Sequence, residues 1–329
     1  AMSDRGWKGL EKVGLRDEIE KIAIPMSGRM VHAVDGTTNF QPYGKEGQAI
    51  YAVSRGVLNS ALMNLAEQQD NVKIYFNERC VHVDLDKRSL HFENPRSDSY
   101  SEKSYDLLFG ADGAFSALRH SMQFLDRFNY SQAYIEHGYK ELLIPADKNG
   151  EHKMFKNALH IWPRKNFMLI ALPNLDGSFT CTLFFQFDGA VSFSAIKTES
   201  DIENFFREYF PDVMELMPAY KEDFKKNPTS SLVIVRCFPW QYKGNACLIG
   251  DAAHAIVPGH RRYAVRELAG IARLSSEPDH HCSRRLFGYE LKQGPVRRCF
   301  RGLFDPQSGC MQPGRHEHVR QSLPGGAAS

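Results

Sequence analysis

Two strand-to-turn corners constrain this chain most. One closes Ala246-Cys247-Leu248-Ile249, an apolar run with the length of a buried strand, and reads Gly250-Asp251-Ala252-Ala253-His254. The other lies earlier, in Asp106-Leu107-Leu108-Phe109-Gly110-Ala111-Asp112-Gly113-Ala114-Phe115-Ser116. A strand that ends in glycine, an acid and small side chains lets backbone approach a flat, phosphate-bearing ligand. The carboxylate can then accept a hydrogen bond from a sugar hydroxyl. Singly, each corner could be an ordinary strand-to-helix turn. The pair, in this order, is more specific than either alone.

Around these corners the hydrophobic spacing predicts alternating elements. Leu10, Val13, Ile19 and Ile22 predict a helix over 5–22, broken at Gly14. Residues 30–34 and 49–53 read as strands around a polar hairpin, and 55–69 as a helix with Leu58, Leu62 and Leu65 on one face. Residues 72–76 and 80–85 read as strands, and 94–103 as a polar loop. From about Phe124 the chain turns β-rich and aromatic, with runs at 159–161, 167–172 and 179–187 separated by turns such as Asn174-Leu175-Asp176-Gly177. Such a series reads as an antiparallel sheet. Residues 199–210 and 213–226 read as helices, and 232–238 as a strand returning to the second corner.

Size and charge exclude several classes. A chain of 329 residues with a formal charge of +2 suits a two-domain globular protein and makes no electrostatic case for nucleic acid. Seven cysteines at 80, 181, 237, 247, 282, 299 and 310 lack any C-x-x-C spacing, which favours free thiols over a disulfide framework or zinc site. His280-His281-Cys282 stands without a second ligand pair, so no metal is expected. The sequence has no run of 18 apolar residues that would span a membrane. Paired carboxylates, a Ser-His-Asp set and a Cys-His set are all missing, so no catalytic side chain is assigned.

The chain resembles the single-component, NADPH-using, FAD-dependent aromatic hydroxylases, and among them the branch acting on L-kynurenine. The resemblance rests on Ser3-Asp4-Arg5-Gly6, Ile24-Pro25-Met26-Ser27-Gly28-Arg29-Met30, Pro42-Tyr43-Gly44, Val53-Ser54-Arg55, Tyr130-Ser131-Gln132, His137-Gly138-Tyr139, Leu159 to Arg164, Phe179 to Phe184 and Gly250 to Pro258. It runs from Ala1 to Pro258. It implies an α/β (α+β) fold: an FAD-binding nucleotide domain of the p-hydroxybenzoate hydroxylase-like type, interrupted by an antiparallel substrate domain. Residues 1–22, 52–120 and 232–258 are expected in the first, and 23–51 and 121–231 in the second.

By this resemblance Arg29 and Tyr43 hold the substrate carboxylate. An arginine fork suits that task, since it can grip both carboxylate oxygens. Read without it, they are a strand-edge arginine and a turn tyrosine. Ala1, Arg55, Cys80, Asp112, Gly113, Ala117, Gly250 and Asp251 fall at cofactor-contact positions, with Arg119 beside Asp112 shaping the pyrophosphate region. A cation at a helix start, as at Arg55, opposes the helix dipole and so favours an anionic ligand. Asp112 could instead be a helix cap, and His254 is expected to pack beneath the flavin. FAD is the implied bound cofactor, with NADPH and O2 as co-substrates. The implied location is the cytosolic face of the mitochondrial outer membrane.

The resemblance stops at both ends. No G-x-G-x-x-G occurs, so a βαβ unit of roughly 30 residues is expected to be missing and FAD binding to be weak. After Pro258 the chain reads Gly259-His260-Arg261-Arg262-Tyr263, where the family wraps the flavin ring. Residues 1–258 hold 12 Arg and 17 Lys; residues 259–329 hold 11 Arg and 1 Lys. This stretch is expected to be a disordered or non-native tail, with a nucleic-acid-binding tail as the other reading.

Overall fold

The computed structural model describes residues 1, 2, 4–44 and 47–257. The Arg-rich stretch 259–329, with His280-His281-Cys282, lies outside the described residues.

Helices α1 (Asp4–Lys12) and α2 (Arg16–Glu20) flank Gly14, whose φ of +70° makes the break the spacing predicts. They bury Trp7 and Ile19. Strands β1 (Ile24–Met26), β2 (Gly28–His32), β3 (Thr38–Pro42) and β4 (Ile50–Ala52) follow. The expected hairpin from 30–34 to 49–53 does not form. Instead β2 turns through Asp35 and Gly36 into β3, while β4 pairs with β1. β3 escaped the sequence reading because nearly all its side chains are exposed, so it has no apolar alternation.

Helix α3 (Arg55–Glu67) forms as predicted. Residues 72–76 are not a strand; Val72, Tyr75 and Phe76 remain exposed, without the ladder a strand needs. Strands β5 (Arg79–Asp84), β6 (Ser89–Asn94) and β7 (Ser99–Ser104) make an antiparallel meander. Half of the polar loop expected at 94–103 is therefore strand, the first residues of β7. Its six side chains are all exposed, so backbone pairing alone defines it.

β8 (Leu108–Gly110) and α4 (Ala117–Met122) lead to β9 (Asn129–Ile144), a 16-residue strand. β10 (Ala158–Arg164), β11 (Phe167–Pro173) and β12 (Phe179–Gln186) are the aromatic strands anticipated. Helix α5 (Glu199–Tyr209) starts with a capping box between Thr198 and Asp201. The single helix expected over 213–226 is two, α6 (Pro211–Leu216) and α7 (Tyr220–Lys226). Pro218 disfavours helical geometry at Met217, which sits at φ −121° and ψ 73°. β13 (Ser230–Phe238), β14 (Gln241–Tyr242), β15 (Ala246–Leu248) and α8 (Asp251–His254) complete the described chain.

The large sheet runs β13-β9-β12-β11-β10-β2-β3, antiparallel except where β2 lies parallel to β10. β13, expected with the nucleotide-binding half, hydrogen-bonds along β9 at the edge of this sheet. One sheet face packs Trp162, Leu169, Phe179, Leu183 and Phe185 against Phe205, Phe206, Phe210, Val213 and Met217 of the helical layer. On the other face Val31, Ile161, Ile170 and Thr182 stand in register across four strands. Arg29, two residues before Val31, shares that face. A second core of Val83, Leu118, Met122, Ala246, Leu248, Ala252 and Ala253 surrounds the corners.

Candidate functional site

Both glycine-acid corners leave the C-terminal ends of neighbouring parallel strands. β15 lies beside β8, with Cys247 opposite Phe109, and the N–H of Ile249 donates to the carbonyl of Gly110 at 3.0 Å. Strand ends arranged this way form the usual ligand crevice of open α/β sheets. Gly250 has φ 60° and ψ −140°, a conformation that side-chain-bearing residues avoid. A Cβ there would meet no atom within 4 Å among the described residues, so the backbone angle itself demands glycine. Gly113, at φ +78°, is the equivalent in the other corner.

The carboxylate of Asp112 accepts the N–H groups of Ala117, at 2.7 Å, and Leu118, at 3.4 Å. Asp112 thus steadies the head of α4, while the Ser116 hydroxyl accepts from the N–H of Arg119 at 3.0 Å. Cys80 lies alongside; burial, then the nearby Asp112 charge, push its thiol pKa up. Cys80, Asp112, Gly113 and Ala117 therefore converge. Asp251 is exposed at the other corner, and among the described residues its carboxylate has no hydrogen-bond partner. His254, also exposed, lies against Trp240 with ring centres 5.3 Å apart.

Arg119 joins the corners. It is buried, donates to the Ala252 carbonyl at 2.9 Å and to the Ala114 carbonyl, and lies 5.4 Å over the Tyr130 ring. One guanidinium therefore fixes a backbone group from each turn. A buried charge so committed is costly to remove, because its partners are left unsatisfied.

Ala1 and Arg55 meet at the start of α3. Met2 and Tyr51 exchange backbone hydrogen bonds of 2.7 and 2.9 Å, which holds the first residues beside the end of β4. Arg55 stands close enough to Ala1 to act on it electrostatically. The Ser54 hydroxyl makes no capping bond, so Arg55 and the free N–H groups of α3 present one positive surface.

The second cluster lies on β2 and beyond β3. The Arg29 guanidinium carbon stands 5.6 Å from the Tyr43 ring centre, and among the described residues Arg29 Nε is buried without a partner. Burial raises the Tyr43 phenol pKa, partly offset by Arg29. The N–H of Tyr43 donates to the Ser27 carbonyl at 3.0 Å. Gly28 makes this approach possible, since a Cβ there would fall 2.5 Å from the Gln41 carbonyl oxygen and 2.7 Å from the Phe40 ring. Sequence reasoning did not see the group behind this cluster, buried His32, His160, Trp162 and Arg164 with half-buried Asp212. Its members come from three elements, and only the run from His160 to Arg164 is contiguous.

Among the described residues no group of three or more His, Cys, Asp or Glu could hold a metal ion. Nor is any described helix long and apolar enough to cross a membrane.

Fold and corners together define a flavin-hydroxylase architecture. Solved structures share it: an oxygenase of 2-methyl-3-hydroxypyridine-5-carboxylic acid aligns at a TM-score of 0.58 and 20% identity, over 77% of this chain and 64% of that one. HpxO of Klebsiella pneumoniae, complexed with FAD and uric acid, aligns at 0.58 and 16%, over 81% and 72%. The family described as an FAD binding domain matches residues 2–260, and the chain belongs to it. Among curated relatives, the kynurenine 3-monooxygenase of Christiangramia forsetii is 51% identical over 258 residues, covering 78% of this chain and 58% of the relative. That of Dictyostelium discoideum is 51% identical over 259 residues, covering 78% and 55%. That of Anopheles gambiae is 43% identical over 261 residues, covering 78% and 53%. The chain thus spans little more than half the length of these relatives.

Proposed function

We propose that this protein is an FAD monooxygenase that takes electrons from NADPH and hydroxylates L-kynurenine to 3-hydroxykynurenine. This step belongs to tryptophan breakdown toward pyridine nucleotides, at the cytosolic face of the mitochondrial outer membrane. The observation that carries the reading is Arg29: a guanidinium with a buried, unpartnered Nε, braced by Tyr43, at the margin of an apolar sheet face. A planar cation there suits the carboxylate of an amino acid, and the apolar face suits its aromatic ring. The names of the curated relatives support the choice of kynurenine.

The corners fit an FAD. Gly113 and Gly250 keep the turns free of side chains, Asp251 offers an unengaged acceptor to a sugar hydroxyl, and Arg55 with the head of α3 offers charge to a phosphate. Ala1, Cys80 and Ala117 border these positions, and Asp112 sets the first turn. Bound there, the flavin supplies the oxygen-transfer chemistry. The protein's own residues bind and orient: Arg29 and Tyr43 fix the substrate's polar end, and the Ile161–Ile170 face excludes water from its ring. No side chain is needed as nucleophile or base.

The deciding experiment compares NADPH oxidation by FAD-supplemented protein with L-kynurenine and with salicylate. Stimulation by L-kynurenine alone, with 3-hydroxykynurenine formed, is expected. Stimulation by salicylate alone would reassign the substrate to another aromatic acid, and none with either would make the chain a non-catalytic form.

A further inference from the structure

Arg29 has a polar neighbour on its own face of the sheet. β3 pairs antiparallel with β2 and sets Gln41 directly opposite Arg29. Residues so paired send their side chains from the same face, with Cβ atoms about 5 Å apart. Gln41 is the one residue of β3 that is not exposed. Among the described residues neither its side-chain amide nor the Arg29 Nε has a hydrogen-bond partner. On the other side of β2, Leu159 of β10 stands beside Arg29 and packs against Ile24, Met26 and Ala52. The row thus runs from amide through guanidinium to hydrocarbon. The next row reads Asn39, Val31, Ile161 and Ile170.

An amino-acid head carries two opposite charges on one carbon. If Arg29 takes the carboxylate, the ammonium needs an acceptor close beside it, because a cation drawn from water without one is costly. Along these rows the first carboxylate is Glu141 of β9, opposite Thr182. It lies four strands from β2, about 19 Å away at the usual strand spacing. Asp35, in the turn between β2 and β3, already accepts the N–H and hydroxyl of Thr37 at 2.9 and 2.7 Å. Asn39 shares the face but is exposed and lies opposite Val31. Gln41 is the acceptor placed beside Arg29. Its amide oxygen is neutral, so it can take an ammonium N–H without cancelling the charge that draws the carboxylate.

We propose that Gln41 is a second substrate-binding residue: its side-chain oxygen accepts from the α-ammonium of an amino-acid substrate whose carboxylate Arg29 grips. Gln41 thereby selects α-amino acids over the same acids without the amino group. This role rests on the substrate reading of Arg29 and adds to it the group that recognises the amine.

The test is calorimetric binding of L-kynurenine, and of its analogue lacking only the α-amino group, to the 329-residue chain. The native chain is expected to favour L-kynurenine about tenfold. Gln41→Leu is expected to abolish that preference by weakening L-kynurenine alone; unchanged binding of the deaminated acid then shows an intact site. Gln41→Glu keeps an acceptor and is expected to keep the preference, although it competes for Arg29 and weakens both ligands. A native chain without the preference overturns the role, as does a preference that survives Gln41→Leu. A preference lost in Gln41→Glu also overturns it, and that variant decides should Gln41→Leu not fold. The decarboxylated analogue separates the two readings. If it binds as well as L-kynurenine, or if L-kynurenine does not bind, the substrate reading of Arg29 fails and the Gln41 role falls with it. If both acids bind, Arg29→Ala weakens both and Gln41→Leu leaves their ratio unchanged, only the Gln41 role fails.

Discussion

Among the described residues Arg29 makes no hydrogen bond through its buried Nε, and that defines its expected behaviour. In active protein, Arg29→Ala is expected to raise the KM for L-kynurenine about 10- to 100-fold, the loss of one charge-assisted contact. Arg29→Lys is expected to recover only part, because an ammonium cannot form the fork. Steady-state kinetics check both, and an unchanged KM in each removes Arg29 from the site. Asp251 differs in kind, being exposed at a turn. Asp251→Asn is expected to weaken FAD binding modestly and to keep kcat once FAD is saturating; Asp251→Ala is expected to weaken binding more. An Asp251→Asn protein that holds flavin normally but does not turn over would mean proton chemistry instead. His160 supplies a pH dependence with a definite sign. Its pKa falls from the ordinary 6.5 to about 4, so the unfolded chain binds a proton first as pH drops. Its share of stability is whole above 6.5 and is lost toward pH 4, roughly 3 kcal/mol in all. Denaturant melts across that range should show this slope flattened in His160→Gln, which keeps a donor for the Phe155 carbonyl.

Among the elements, β2 and β3 are held together by a missing side chain. Gly28→Ala would drive a methyl into the Gln41 carbonyl and the Phe40 ring, so β3 must move and take Tyr43 with it. The expected outcome is a loss of about 1–3 kcal/mol in stability together with a raised KM for L-kynurenine. Thermal melts and kinetics on the same variant check this; normal values for both would show that β3 tolerates the methyl. α5 offers a cleaner case, far from the site. Thr198→Ala removes the capping box and is expected to cost about 1 kcal/mol, with Thr198→Ser recovering most of it. Elements with a buried face were legible in the sequence: β10, β11, β12 and α5 lie where the spacing put them, as does α3, whose Leu58, Leu62 and Leu65 are half-buried. β12 alternates buried and half-buried residues along its whole length. β3 and β7 were not legible, because strands without a buried face carry no apolar signal.

Across the whole molecule, burial is uneven, and so should be resistance to opening. β9 to β12 sandwich the aromatic core with α5, α6 and α7, whereas β7 exposes all six of its side chains. Amide exchange is expected to be slowest in β10, β11 and β12 and much faster in β7. Equal protection in β7 and β11 would contradict this division.

Arg29 and Tyr43 became candidates through the family resemblance; the sequence by itself determined the two corners, the aromatic sheet and the helices α3 and α5. These follow from local pattern: a left-handed glycine, an acid beside it, a period of two or of 3.6 residues. Only the tertiary structure decided that β15 lies beside β8, that Arg119 pins Ala114 and Ala252 together, and that β13 edges the large sheet. It alone brought His32 against His160 and Trp162, with Asp212 accepting from the Trp162 indole. Asp212 follows His32 by 180 positions, and no period or spacing encodes a contact between residues so far apart. Packing of the sheet against its helices brings them together.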